Sequence, residues 1–237
     1  MSHPERIIIT EPGHLADAAA EWIAATLRAS LRERGRCALA LSGGRTPQPV
    51  YERLADEPLA ALIRWPDVDV FFGDERAVPP DDPASNYGMA RAALLARVAI
   101  PPTCVHRMEA ERADRDAAAR EYARGLPPQL DILLLGMGPD GHTASLFPGS
   151  PALDERERLV VPVTGPTAPA ERLTITPPVI AAARHVAVLA AGAEKAATVA
   201  RALQSPERPR ELPVQLARRG VWFLDRAAAA HLRSVAT

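Results

Sequence analysis

The stretch Gly136-Met-Gly-Pro-Asp-Gly-His142 sets a carboxylate and an imidazole two residues apart among glycines. Histidine changes charge near neutral pH, so it can take a proton from a reacting group and hand it back. The glycine spacing formally matches a dinucleotide-binding fingerprint. That motif, however, belongs in the first βα turn and needs an acidic residue closing the next strand, whereas Asp154, Glu155 and Glu157 here precede the next apolar run. A titrating pair beside the glycines suits proton transfer better than a pyrophosphate. A lone histidine is more often a surface or structural residue, but a position between glycines at the end of a strand favours the catalytic reading.

Three other segments carry charge or anion-binding character. Ser42-Gly-Gly-Arg-Thr46 joins a strand to a helix that opens with Pro47, so its backbone N–H groups can face an anion. It lacks the Gly-Lys-Ser/Thr ending of a Walker A loop, and an ordinary glycine turn is the competing reading. Asp74-Glu75-Arg76 is a compact charge cluster or a solvated, salt-bridged turn. Lys195 is the only lysine among 28 basic residues. It falls where a helix begins, a position that disfavours a cation unless an anion is near, and it offers a point charge that arginine's planar fork does not reproduce.

The elements that position these segments follow from periodicity. Apolar residues keep helical spacing between Glu11 and Arg34, and Gly35 ends that helix. Short apolar runs at 36–41, 68–72, 130–135 and 184–190 read as strands, each followed by one of the segments above. Alanine-rich helical stretches lie at 86–98, 111–124 and 194–203. This alternation predicts an α/β fold with a mostly parallel sheet and helices on both faces, in one domain spanning 1–237. In such a sheet all strand C-termini share an edge, so the four loops are expected to converge there. Residues 161–170 read as a mobile loop and 204–213 as an irregular connection.

Composition narrows the function classes. A net charge of −1 offers no field for nucleic acid or anionic lipid. The run Arg6-Ile-Ile-Ile-Thr10 is too short for a signal h-region, and no window approaches a membrane span, which predicts a cytoplasmic protein. Cys37 and Cys104 have neither disulfide-framework nor zinc-site spacing, so no metal is expected. The 24 prolines, about twice the usual share, imply sharply ended elements.

Four stretches in order resemble the 6-phosphogluconolactonases, within the wider group that includes glucosamine-6-phosphate deaminase. They are Leu41-Ser-Gly-Gly-Arg-Thr-Pro47, Phe72-Gly-Asp-Glu-Arg-Ala-Val78 continuing to Ser85-Asn-Tyr-Gly-Met89, Leu135 to Gly149 around His142, and Glu171-Arg-Leu-Thr-Ile-Thr176. The resemblance implies a Rossmann-like fold, no cofactor, no obligate protein partner, and hydrolysis of 6-phosphogluconolactone in the oxidative pentose phosphate pathway. It makes His142 the general base, with Asp140 and Arg76 beside it. It assigns Ser42, Gly43, Gly44, Thr46, Arg172 and Lys195 to the substrate's phosphate and sugar, and Asp74 joins the substrate-binding set. Arg45 stands where many members have serine, and its side chain either meets the phosphate or turns to solvent. Arg172 precedes its strand, so it reaches the ligand edge only if that strand runs antiparallel or the residue reaches in from the loop. Asp140 either orients the histidine or touches substrate. Two rivals remain: an aminosugar-phosphate isomerase or deaminase, disfavoured because Thr143-Ala-Ser-Leu-Phe-Pro148 replaces an asparagine-glutamate-proline ending, and a non-catalytic sugar-phosphate sensor, which lacks a DNA-binding extension here.

Overall fold

The computed structural model describes residues 4–11 and 13–233. Its centre is a six-stranded parallel sheet. The strands are β1 (Arg6–Thr10), β2 (Cys37–Leu41), β3 (Val68–Phe72), β5 (Ile132–Gly136), β8 (His185–Ala190) and β9 (Val221–Asp225), in the order β1-β9-β8-β5-β2-β3. A second, antiparallel sheet holds β4 (Asp74–Arg76), β7 (Glu171–Ile175) and β6 (Val160–Thr164) in that order.

The side-chain alternation of the strands divides the core. Cys37, Leu39 and Leu41 face one apolar cluster with Ile132, Leu134, Leu189 and Phe223. Ala38 and Ala40 face the other with Leu133, Leu135, Val188 and Trp222. Helices α1 (Leu15–Arg34) and α2 (Pro47–Ala55) fill the first cluster; α4 (Arg115–Gly125), α5 (Pro177–Ala182) and α6 (Ala196–Gln204) fill the second, which also takes the inner faces of β6 and β7. Both faces are thus covered, and for that reason the central strands read as continuous apolar runs.

Several boundaries differ from the sequence expectation. The first helix starts at Leu15, not Glu11, and Pro12, inside the expected span, lies outside the described residues. The stretch from Asn86 splits into a short α3 (Asn86–Ala90) and a π turn over Arg91–Leu95. Residues 161–170 are not a free loop. Val160–Thr164 pair with β7 in full register, and only Gly165–Ala170 turn, closed by Gly165 N–H to Ala170 O at 2.7 Å. Pro162 hid that strand, because proline lacks a ladder donor; β6 tolerates it as an edge strand. Residues 205–212 form no helix or strand, consistent with an irregular connection. No helix among the described residues is long and apolar enough to cross a membrane.

The order of the sheet reverses between β2 and β5: the chain runs from β2 outward to β3, then returns across β2 to β5 and on to β8 and β9. Such a switch point leaves a crevice at the strand C-termini where ligands bind in open α/β sheets.

Candidate active site

The crevice is lined by Ser42 to Pro47 after β2, by Asp74 and Arg76 on β4, by Gly136 to Gly138 and His142 after β5, by Lys195 after β8, and by Arg172 on β7. The expected loops therefore meet, and every expected site residue lines the pocket except Asp140.

Asp140 stands behind the histidine. Its Oδ1 lies 2.6 Å from His142 Nδ1 and also accepts from the His142 backbone N–H at 3.1 Å. Burial alone would raise the pKa of this carboxyl group, but the hydrogen bond and charge of His142 outweigh it and hold Asp140 below the usual carboxylate range. With Nδ1 engaged, Nε2 is the ring nitrogen left for the pocket. The loop that carries the pair is closed by Gly138 N–H to His142 O at 2.9 Å and by Thr143 Oγ1 to Gly136 O at 2.8 Å. Gly138 has to be glycine, since a Cβ there would lie 2.2 Å from the imidazole.

The Ser42–Thr46 loop passes close to a neighbour in the same way: a Cβ on Gly43 would fall 1.8 Å from Asn86 Oδ1. Asn86 in turn donates from Nδ2 to the Asp74 carbonyl at 2.8 Å and to Asp74 Oδ1 at 3.2 Å. Ser145 Oγ donates to Asp74 Oδ2 at 2.6 Å, so both oxygens of this buried carboxylate are engaged. Glu75, next to it, accepts from the backbone N–H groups of Arg76, Asn86 and Tyr87 and from Ser85 Oγ. Glu75 thereby ties β4 to the start of α3 and places Asn86. Burial raises its pKa, with those backbone donors pulling against the shift.

Arg172 does not precede its strand but is the second residue of β7, which runs antiparallel to β4, and it lines the pocket from there. Its Nε donates to Pro169 O at 3.1 Å, its Nη1 lies 3.5 Å from Ser145 Oγ, and its guanidinium packs 5.4 Å from the Phe147 ring centre. Phe147 also packs on His142, at 4.7 Å between ring centres. Arg76 donates from Nη1 to Ala84 O at 2.7 Å, while its buried Nε has no partner among the described residues. Arg45 is exposed at the rim of the pocket. Lys195 stands at the N-cap position of α6, and burial pushes its pKa down, with nearby Arg45 acting in the same direction. Among the described residues no group of three or more His, Cys, Asp or Glu side chains could hold a metal ion.

Sequence reasoning did not assign Asn86, Ser145 or Phe147. Asn86 follows Ser85, whose side chain accepts from Gly88 N–H as a helix N-cap, and that local signal was readable. Ser145 and Phe147 sit in the same run as the histidine, but nothing in their spacing shows which groups they touch.

The pocket wall carries four cations, Arg45, Arg76, Arg172 and Lys195, against one carboxylate, Asp74, with a histidine at its edge. That is an α/β protein whose switch-point crevice carries a surplus of positive charge beside a hydrogen-bonded histidine. Residues 10–224 match the model of a family described as glucosamine-6-phosphate isomerases/6-phosphogluconolactonase, and the chain belongs to that family. It is 39% identical to 6-phosphogluconolactonase of Streptomyces coelicolor, over 97% of this chain and 95% of the relative. It is 41% identical to the 6-phosphogluconolactonase of Homo sapiens, over 83% of this chain and 81% of that one. Among solved structures, 6-phosphogluconolactonase from Trypanosoma brucei superposes with a TM-score of 0.84 at 32% identity, covering 98% of this chain and 100% of the other.

Proposed function

We propose that the chain hydrolyses 6-phosphogluconolactone to 6-phosphogluconate, its place being in the oxidative pentose phosphate pathway, with His142 as the general base. The observation that carries the mechanism is the Asp140–His142 contact of 2.6 Å at the edge of a pocket with four cations. The cations suit a dianionic phosphate, and the held imidazole suits a lactone, whose activated carbonyl needs only a deprotonated water and a proton for its leaving oxygen.

In this reading the Ser42–Thr46 loop, Arg172 and Lys195 take the phosphate and sugar. Asp140 accepts from Nδ1–H, which leaves the Nε2 lone pair toward the pocket. Nε2 takes a proton from water as its oxygen bonds to C1, and Arg76 opposes the negative charge that develops on the carbonyl oxygen. When the tetrahedral intermediate collapses, the C1–ring oxygen bond breaks and the imidazolium returns the proton to that oxygen. Asp140 meanwhile stabilises the imidazolium.

Aldose–ketose or deaminase chemistry would ask for a free carboxylate to carry a proton between carbons. Asp74, the carboxylate in the pocket wall, has both oxygens occupied by Asn86 and Ser145. Turnover of freshly generated 6-phosphogluconolactone, corrected for spontaneous hydrolysis, tests the proposal. Ammonia release from glucosamine 6-phosphate without lactone turnover would overturn it.

A further inference from the structure

Two buried tyrosines make the same unusual contact at two different strand ends. The Tyr51 hydroxyl, on α2, accepts from Ser42 N–H at 2.9 Å and donates to Ser42 C=O at 2.8 Å. The Tyr122 hydroxyl, on α4, accepts from Phe72 N–H at 2.7 Å and donates to Phe72 C=O at 3.1 Å. Each phenol thus satisfies both peptide groups of one residue, as a neighbouring strand would. The two act from opposite faces of the sheet, because Tyr51 belongs to one apolar cluster and Tyr122 to the other.

The clasped residues sit where the ladder stops. β2 pairs with β3 up to Leu41 and Phe72 and with β5 only at Leu39 and Ala40, so Ser42 lies beyond both ladders. β3 is the edge of the large sheet, and the outward groups of Phe72 have no strand there either. Unpaired and buried, these groups would cost stability or draw the chain into another path. From Ser42 the anion loop departs. One residue beyond Phe72 the chain leaves the large sheet and becomes β4, carrying Asp74 and Arg76.

Each departing segment also presents a buried polar atom with no partner among the described residues, Ser42 Oγ and Arg76 Nε, and both residues line the pocket. A mobile backbone would let such atoms turn and find protein partners. A backbone held from behind by a phenol keeps the segments that carry them in place at the pocket wall. Burial drives both phenols well above the ordinary tyrosine range, so neither hydroxyl loses its donor at working pH.

We infer that Tyr51 and Tyr122 are positioning residues for the two halves of the site: Tyr51 fixes the anion loop through Ser42, and Tyr122 fixes the Asp74–Arg76 arm through Phe72. The inference rests on the functional reading above for what each half does, and on the hydrogen bonds for the division itself. It separates affinity from turnover: one clasp governs the grip on the phosphate, the other the group that meets the oxyanion.

Steady-state kinetics of Tyr51→Phe and Tyr122→Phe on the lactone, referred to the folded fraction at the assay temperature, test it. We expect Tyr51→Phe to raise KM roughly tenfold with kcat within about threefold of the parent, and Tyr122→Phe to lower kcat roughly tenfold with KM within about threefold. Wild-type constants in the folded fraction of both variants, or the same split in both, would overturn the proposal. Amide hydrogen exchange on the unsubstituted protein needs neither a folded variant nor any substrate. The Ser42 and Phe72 N–H groups should exchange as slowly as the ladder amides of β2 and β3, and fast exchange at either would contradict the clasps. Absence of lactone turnover by the parent protein, with both amides protected, would instead count against the functional reading alone.

Discussion

Arg76 and Arg172 stand directly opposite one another across the antiparallel β4–β7 pair. Burial lowers the pKa of Arg172, and the charge of Arg76 lowers it further. Like charges at facing positions of a strand pair destabilise it. The proposed ligand, anionic at both ends, would offset that repulsion.

A bound anion should therefore stabilise the fold through this pair. We expect saturating 6-phosphogluconate to raise Tm in the parent and to raise it less in Arg76→Gln, while the empty variant stays within about 3 °C of the parent. Differential scanning calorimetry with and without ligand makes the comparison. An equal ligand-induced rise in both proteins would remove Arg76 from the anion's surroundings.

Asp140→Asn keeps the size of the side chain but removes the carboxylate that holds Nδ1–H and offsets the imidazolium. We expect kcat to fall about 10²- to 10⁴-fold with KM changed little, since the contact is made to the histidine and not to the pocket. A rise in KM with unchanged kcat would assign Asp140 to substrate instead.

On the proposed function, Lys195 should set an alkaline limit. Burial, the largest influence, pushes its pKa below the usual lysine value. The ammonium must be protonated to meet a phosphate, so affinity for 6-phosphogluconate is full below that lowered pKa and falls as pH rises through it. Binding within this window should take up protons, measurable by calorimetry in buffers of different ionisation enthalpy. Lys195→Arg should bind more weakly at neutral pH, because the guanidinium fits the point-charge position poorly, and should lose the alkaline dependence. A parent protein whose affinity does not change across the alkaline range would contradict the role.

Glu75 is a test of the scaffold. Glu75→Ala would leave three backbone N–H groups and the Ser85 hydroxyl without their acceptor in a buried place. We expect a loss of about 2–4 kcal/mol, read as a fall in Tm of roughly 5–15 °C. A change of less than about 2 °C would mean that water replaces the carboxylate at no cost.

Much of the site was readable because its signals are local. A strand that ends in glycines, a proline opening the next helix, and a single lysine in an arginine-rich chain each mark a βα junction, and parallel topology brings such junctions together. What was not readable depends on pairing across long sequence distances. The Arg76–Arg172 opposition needs β7 to reverse into a second sheet. That sheet was hidden because β4 is only three residues long and Pro162 breaks the pattern of β6. Asp74 meets Ser145 across 71 residues, and Phe72 meets Tyr122 across 50, contacts that no spacing rule encodes. The edge and near-edge strands β1 and β9 also escaped the alternation reading, as their short apolar runs lie at the two ends of the chain.

The proposed base is tested most directly by His142→Ala, with turnover and binding measured on the same preparation. The expected result is a fall in kcat of about 10²- to 10⁴-fold on 6-phosphogluconolactone, with calorimetric affinity for 6-phosphogluconate within about threefold of the parent. Near-parental kcat in that variant would contradict His142 as the group that activates water.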